Sequence, residues 1–247
     1  MIDGKAFRSL SYGLYIVTTQ GESGHAGCVV NTFQQVTSSP AQAGIAINKE
    51  NRTADALLQA GVFEVSVLAE SAPMELIGRF GFHSSADIDK FADTAMSTDA
   101  EGVPYVAEHT VAHFCVRVKQ TLDLGTHIYV MGEVVESGVL SAEQPMTYAY
   151  YHQVKGGKTP PKASSFEPAD EPVVAAPAFA PAGEPAPAPA ADASVPTVEP
   201  EAGKAPAAAW RCKVCGHIEY GYPDGLPEDF RCPVCGVGRE FFERIEA

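Results

Sequence analysis

The chain lacks any long hydrophobic run: its apolar stretches are broken by Gly, Pro or charge within about ten residues, whereas roughly 20 are needed to cross a bilayer. No membrane span is expected. Positive charge is also scarce, with 17 Lys and Arg against 31 Asp and Glu and a formal net charge of −14. That balance excludes the basic surface that binding to nucleic acid or anionic lipid rewards. The opening residues, Met1-Ile2-Asp3-Gly4-Lys5, carry an acid and no apolar h-region, so they do not read as a signal peptide. A cytoplasmic location is expected, where thiols stay reduced and available to metal. No GxGxxG fingerprint and no HExxH motif occur, so the sequence offers no discriminator between NADH and NADPH and no zincin site.

Cysteine is sparse as well, and its distribution is uneven. Four of the six, Cys212, Cys215, Cys232 and Cys235, form C-x2-C-x16-C-x2-C, each pair followed by glycine. Two such pairs brought together present four thiolates in tetrahedral geometry, which suits one iron or one zinc. Cys28 and Cys115 sit in apolar runs without a partner at ligand spacing and read as small core residues. His25, His83, His109, His113, His152 and His217 form no metal motif and read as structural or exposed.

Composition divides the chain into three. Residues 172–209 hold 15 Ala and 9 Pro; proline at that density opposes helix and sheet, and alanine buries too little surface to offset the entropy of ordering. With its acidic approach the linker covers 166–209 and could extend to about 100 Å. The segment 210–247 is too short to depend on an apolar core, so its metal is structural whatever else it does. Residues 1–165 read as mainly β. Tyr12–Thr19, Ala43–Asn48, Val62–Leu68, Val111–Leu122 and Ile128–Val135 are β-branched or aromatic runs, and Val116-Arg117-Val118-Lys119 alternates cleanly. Two short helices are expected: Arg52–Ala60, started by Asn or Thr and stopped by Gly61, and Ser71–Ile77, with an early Pro73. Many strands and few helices predict a barrel with Greek-key connections.

Inside this region lies a polar run, Asn31 to Pro40, followed by Ala46 to Asp55 with Lys49 and Arg52 at a helix start. Amides and hydroxyls could hold a flavin edge, and a helix N-terminus with cations suits a phosphate. A solvated strand end and an ordinary capped helix would leave the same pattern.

The run around the second cysteine pair, L-P-E-D-F-R-C-P-V-C-G-V-G-R-E-F-F-E, resembles the rubredoxin signature, with Phe230 at its usual Trp position and Phe242 as its closing Phe. The 16-residue gap is shorter than in typical rubredoxins and leans toward the rubrerythrin type. The resemblance implies one iron on four cysteines. The motif N-T-F-Q-Q-V-T-S-S-P, then N-K and a Thr-bearing helix start, G-R-F-G-F, G-T-H-I-Y-V-M-G-E-V and Y-A-Y-Y-H-Q-V-K-G-G-K-T-P-P-K-A, taken in order, resembles the flavin reductase family with an FMN-binding split β-barrel. That resemblance implies FMN contacts from Asn31, Thr32 and Thr37 to the ring or ribityl chain. It implies Lys49, Asn51 and Thr53 on the phosphate side, His127 near flavin or nicotinamide, and Lys158 and Lys162 closing over the phosphate.

The combined order resembles the high-molecular-weight rubredoxins. This implies electron transfer from NADH or NADPH through FMN to an Fe(Cys)4 centre, a flavodiiron protein as acceptor, and a homodimer formed through the barrel. Two other readings stand beside it: a flavin reductase with a zinc-binding docking module, and an FMN redox sensor without turnover.

Overall fold

The computed structural model describes residues 2–22, 24–166 and 209–245; apart from its two end residues the predicted linker lies outside them. The first strands are β1 (Tyr15–Gly21), β2 (Gly24–Val30), β3 (Gln34–Ser38) and β4 (Ala41–Asn48). Helix α1 (Arg52–Ala60), strand β5 (Val62–Leu68) and helix α2 (Met74–Gly81) follow. A small hairpin, β6 (Met96–Thr98) and β7 (Pro104–Val106), leads to the long strands β8 (Thr110–Asp123) and β9 (His127–Val139) and to helix α3 (Tyr148–Gln153).

The seven main strands form one sheet in the order β2-β1-β5-β8-β9-β4-β3. The mainly β character with short helices matches the expectation. The closed barrel does not appear as a closed ladder: among the described residues no pairing joins β2 to β3. Register shifts in β8–β9, at Cys115/Val116 and Val118/Gln120, add the extra twist that bends such a sheet.

The central strands are buried on both faces, and alternation assigns each face its own core. Val17 of β1 and Phe63 and Val65 of β5 join Ile45, Ile47, Val116, Val130 and, from α1, Ala54 and Leu57. Ile16 and Leu68 face the other way, toward Met74, Ile77 and Phe80 of α2. Helix α1 occupies the predicted span, with Asn51 as N-cap accepting from the Thr53 N–H and Gly61 ending it. Helix α2 differs: Pro73 is extended at φ −72°, ψ 153°, so the helix starts at Met74, with no side-chain cap, and runs on to Gly81. The polar run 31–40 contains β3, fully exposed at the sheet edge and paired with β4. With no apolar alternation, it gave no strand signal.

The C-terminal part is a three-stranded sheet in the order β11-β10-β12, made of β10 (Ala209–Cys212), β11 (Ile218–Tyr220) and β12 (Phe242–Ile245). Its apolar residues do not form a separate core. Val214, Leu226, Val237 and Phe242 belong to the same cluster as Leu14, Ile77, Phe80 and Tyr151 of the large part.

Candidate metal centre and cofactor cavity

Two turns of matching geometry carry the four cysteines. In the first, the Cys212 N–H donates to His217 O at 2.8 Å and the Gly216 N–H to Cys212 O at 2.8 Å. In the second, Cys232 N–H donates to Val237 O at 2.8 Å and Gly236 N–H to Cys232 O at 2.9 Å. Each turn closes on a left-handed residue, Gly216 at φ 76° and Gly236 at φ 83°, a conformation that costs glycine little. All four sulfurs thereby lie within 4.8 Å of one another. Cys212 Sγ is 3.6 Å from Cys235 Sγ, and Cys215 Sγ is 3.5 Å from Cys232 Sγ. A tetrahedron with metal–sulfur bonds of about 2.3 Å has edges of about 3.8 Å, so the cage fits one metal ion. Thiols this crowded resist ionising together: Cys212 foremost and then Cys232 raise the pKa of Cys215, Cys212 foremost and then Cys215 and Cys232 raise that of Cys235, and a bound cation removes that opposition. Phe230 packs edge-on against Phe242 at 5.2 Å and Tyr222 at 5.8 Å, while Trp210 Nε1 donates to Tyr222 O at 2.9 Å, giving the cage an aromatic wall.

Beside it lies a cavity of about 540 Å³, in the size range of small-molecule and cofactor sites. Its apolar side includes Leu14, Val29, Ile77 and Phe82; its polar side includes Asn31, Asn48, Asn51 and Ser84. One end meets the start of α1, at Asn51 and Arg52, where helix amides and dipole favour an anion. Val234, the residue between Pro233 and the ligand Cys235, also lines the cavity.

The structure sorts the sequence-predicted flavin residues. Asn31, Asn51, His127 and Lys162 line the cavity. Asn31 is clasped by the segment after α3: its Nδ2 donates to Ser165 Oγ at 3.0 Å, and Ser164 Oγ donates to its Oδ1 at 3.1 Å. His127 lies at the start of β9, its Nδ1 2.9 Å from Thr126 Oγ1, and burial lowers its pKa. Lys162 Nζ pairs with Glu50 Oε2, another lining residue, at 2.5 Å, and Asn48 Nδ2 donates to Lys162 O at 2.9 Å.

The other five stand outside the cavity lining. Thr32 Oγ1 bonds the β4 backbone at Ala46 O (2.8 Å) and Ala46 N (3.0 Å). Thr37, on exposed β3, donates to Pro40 O at 2.6 Å. Lys49 pairs with Asp123 on the β8–β9 turn at 2.5 Å. Thr53 is buried, its Oγ1 without a hydrogen-bond partner among the described residues. Lys158 turns to the metal part instead, with Nζ donating to Cys232 O at 3.3 Å and Pro233 O at 3.1 Å.

Sequence reasoning missed Tyr148, Ser164, Ser165, His83 and Val234. Ser164 and Ser165 directly follow the K-T-P-P-K-A run, but a loop carries no periodicity to show where it folds. His83 follows G-R-F-G-F, and its Nε2 approaches Val214 O at 3.2 Å, a contact 131 residues away in sequence. Cys28 and Cys115 are buried as expected. His113, read as structural or exposed, is buried with its Nδ1 3.1 Å from Glu64 Oε1.

Residues 7–157 match the flavin reductase like domain family, and residues 210–243 match the rubrerythrin, rubredoxin-like domain. A high molecular weight rubredoxin of Moorella thermoacetica is 38% identical, over 99% of this chain and 100% of that protein. A ferric-chelate reductase (NAD(P)H) of Archaeoglobus fulgidus is 44% identical, over 67% of this chain and 98% of its own length. Among solved structures, a Streptomyces globisporus NADH:FAD oxidoreductase in complex with NAD and FAD fragments superposes with a TM-score of 0.53 at 26% identity. It covers 60% of this chain and 90% of that one. The pairing of domains implies FMN reduced by NAD(P)H and one iron on the four cysteines. The chain is an NAD(P)H-dependent oxidoreductase of the flavin reductase like family, in the two-domain arrangement of the high molecular weight rubredoxins.

Proposed function

We propose that the chain carries electrons from NAD(P)H to the iron centre of Cys212, Cys215, Cys232 and Cys235, and from there to an outside acceptor of the flavodiiron type. Residues 1–165 would take the electrons in, residues 210–247 would deliver them, and 166–209 would tether the two. FMN supplies the conversion this route requires, since a hydride brings two electrons and a single iron accepts one. The observation that carries the reading is Val234: the residue next to a metal ligand is itself a wall of the cofactor cavity.

The side chains divide the work. Asn31 and Asn48 present amides to a flavin edge. The N-terminal turn of α1, with Asn51 and Arg52, receives the phosphate, and Lys162 with Glu50 closes that end. Neutral His127 offers a ring nitrogen without placing a second positive charge beside a cationic nicotinamide. None of these groups must exchange a proton for a hydride to move, so their task is to bind and orient the rings and exclude water. Pairing of two chains through the β domain is part of the same proposal.

An absorption spectrum of the purified protein tests it. Flavin bands superposed on ferric-thiolate bands, both bleached anaerobically by NADH or NADPH, are expected. Flavin bands alone would overturn the iron route and leave a reductase with a zinc module. Both chromophores present but neither bleached would leave a redox sensor.

A further inference from the structure

We infer that the two cysteine turns form a docking face with one defined seat beside the cavity, positioned for electron transfer by Gly78, His83 and Lys158; the inference rests on the electron route proposed above. The contacts come from the metal end of the small part. His83 Nε2 donates to Val214 O in the first turn at 3.2 Å, and Lys158 Nζ donates to Cys232 O and Pro233 O in the second at 3.3 and 3.1 Å. Ile218 and Tyr220 of β11 stay exposed, and so does Val234 in the second turn, so the polar contacts from His83 and Lys158 are what hold the turns in register.

The seat is shaped as well as bonded. Gly78 lies mid-helix in α2, and a Cβ there would stand 2.5 Å from the Val214 carbonyl oxygen and overlap its side chain. Only a bare backbone lets the first turn come this close. At the second turn, a Cβ on Gly236 would overlap the Gly156 carbonyl. The receiving elements also wall the cavity: Ile77 and Gly81 flank Gly78 along α2, and His83 lines it directly. The metal turns therefore rest on the walls that hold the cofactor. Each visit reduces the ferric centre to ferrous by one electron; after the outside acceptor has reoxidised that iron, a second visit takes the other electron of the NAD(P)H hydride, and one proton is released to solvent.

Gly78→Leu and Lys158→Met, each in the full-length protein carrying FMN and iron, test the seat with two readouts. Neither residue lines the cavity, and leucine favours helix more than glycine does, so flavin content equal to wild type reports an intact large part. Hydrogen–deuterium exchange of residues 74–83 and 154–160 should rise in Gly78→Leu and, to a smaller extent, in Lys158→Met. In anaerobic stopped flow, bleaching of the iron bands should slow at least tenfold in Gly78→Leu and about threefold in Lys158→Met, with bleaching of the flavin within twofold of wild type. Wild-type exchange together with wild-type iron bleaching in both variants would overturn the seat. Raised exchange with unchanged iron bleaching would overturn its role in electron transfer. A wild-type protein whose flavin bleaches while its iron stays ferric would instead overturn the electron route, and this inference with it.

Discussion

Glu64 is fully buried on β5, where a charge is costly to hold. One carboxyl oxygen faces His113 Nδ1 at 3.1 Å, and the other has no donor among the described residues. Asp99 of the β6–β7 hairpin and the Cys115 thiol complete the cluster. Burial first, and the Asp99 carboxyl second, raise the Glu64 pKa to about 9. An acid whose folded pKa lies above its unfolded one keeps its proton when folded and releases it on unfolding. Its contribution to stability is therefore full below the unfolded pKa, about 4.5, and falls as pH climbs toward 9. The limiting slope is about 1.4 kcal/mol per pH unit. Glu64→Gln keeps the shape, an acceptor for His113 and a donor toward Asp99, but removes the titration. Thermal or urea unfolding from pH 5 to 9 should show wild type losing stability relative to Glu64→Gln as pH rises; parallel curves would refute a protonated Glu64. Sequence could not show this. In Val-Phe-Glu-Val-Ser-Val-Leu the alternation sets Glu64 and Ser66 on the face opposite Phe63, which reads as solvent. The hairpin covers that face, with the Val106 N–H donating to Ser66 Oγ at 3.0 Å and Thr18 Oγ1 to Pro104 O.

At the scale of elements, α1 was legible because two local signals agree, an Asn or Thr start and a glycine stop. Strands β5 and β8 were legible from their β-branched, alternating runs. What local pattern could not supply was the direction of each polar side chain near the cavity. Asn51 and Lys49 are two residues apart, yet Asn51 joins the wall and Lys49 is drawn to Asp123, 74 residues on. Asn51 thus combines two roles that substitution can separate. Its Oδ1 caps α1 by accepting from the Thr53 N–H at 3.0 Å, and aspartate caps equally well. Asn51→Asp should leave the melting temperature close to wild type but place a negative charge where the phosphate is proposed to sit, weakening FMN binding at least tenfold. Asn51→Ala should instead cost about 1 kcal/mol of stability through the lost cap. FMN titration beside thermal unfolding separates the two. Equal FMN affinity for wild type and Asn51→Asp would move the phosphate away from α1.

For the molecule as a whole, the spacing of four cysteines and the Ala/Pro run announced two functional parts, and the matched turns show why the spacing suffices: each C-x-x-C-G segment folds by its own backbone bonds. Their seat could not be read, because the contacts that make it join Gly78, His83 and Lys158 to residues 74 or more positions away. Between them lie residues 172–208, rich in Ala and Pro. In the tether role proposed above, this segment would make docking an intramolecular event, with an effective concentration on the order of millimolar. Cutting it at a protease site placed between residues 180 and 195, with both fragments kept in solution, removes that advantage and leaves the seat unchanged. At about 1 μM protein, reduction of the iron after NAD(P)H addition should slow at least tenfold and recover as both fragments are concentrated, because the encounter has become bimolecular. Flavin reduction, confined to residues before the cut, should not change. An iron reduction rate that is unaltered by the cut and independent of concentration would show that the seat alone holds the two parts together, and that the linker only joins them in the sequence.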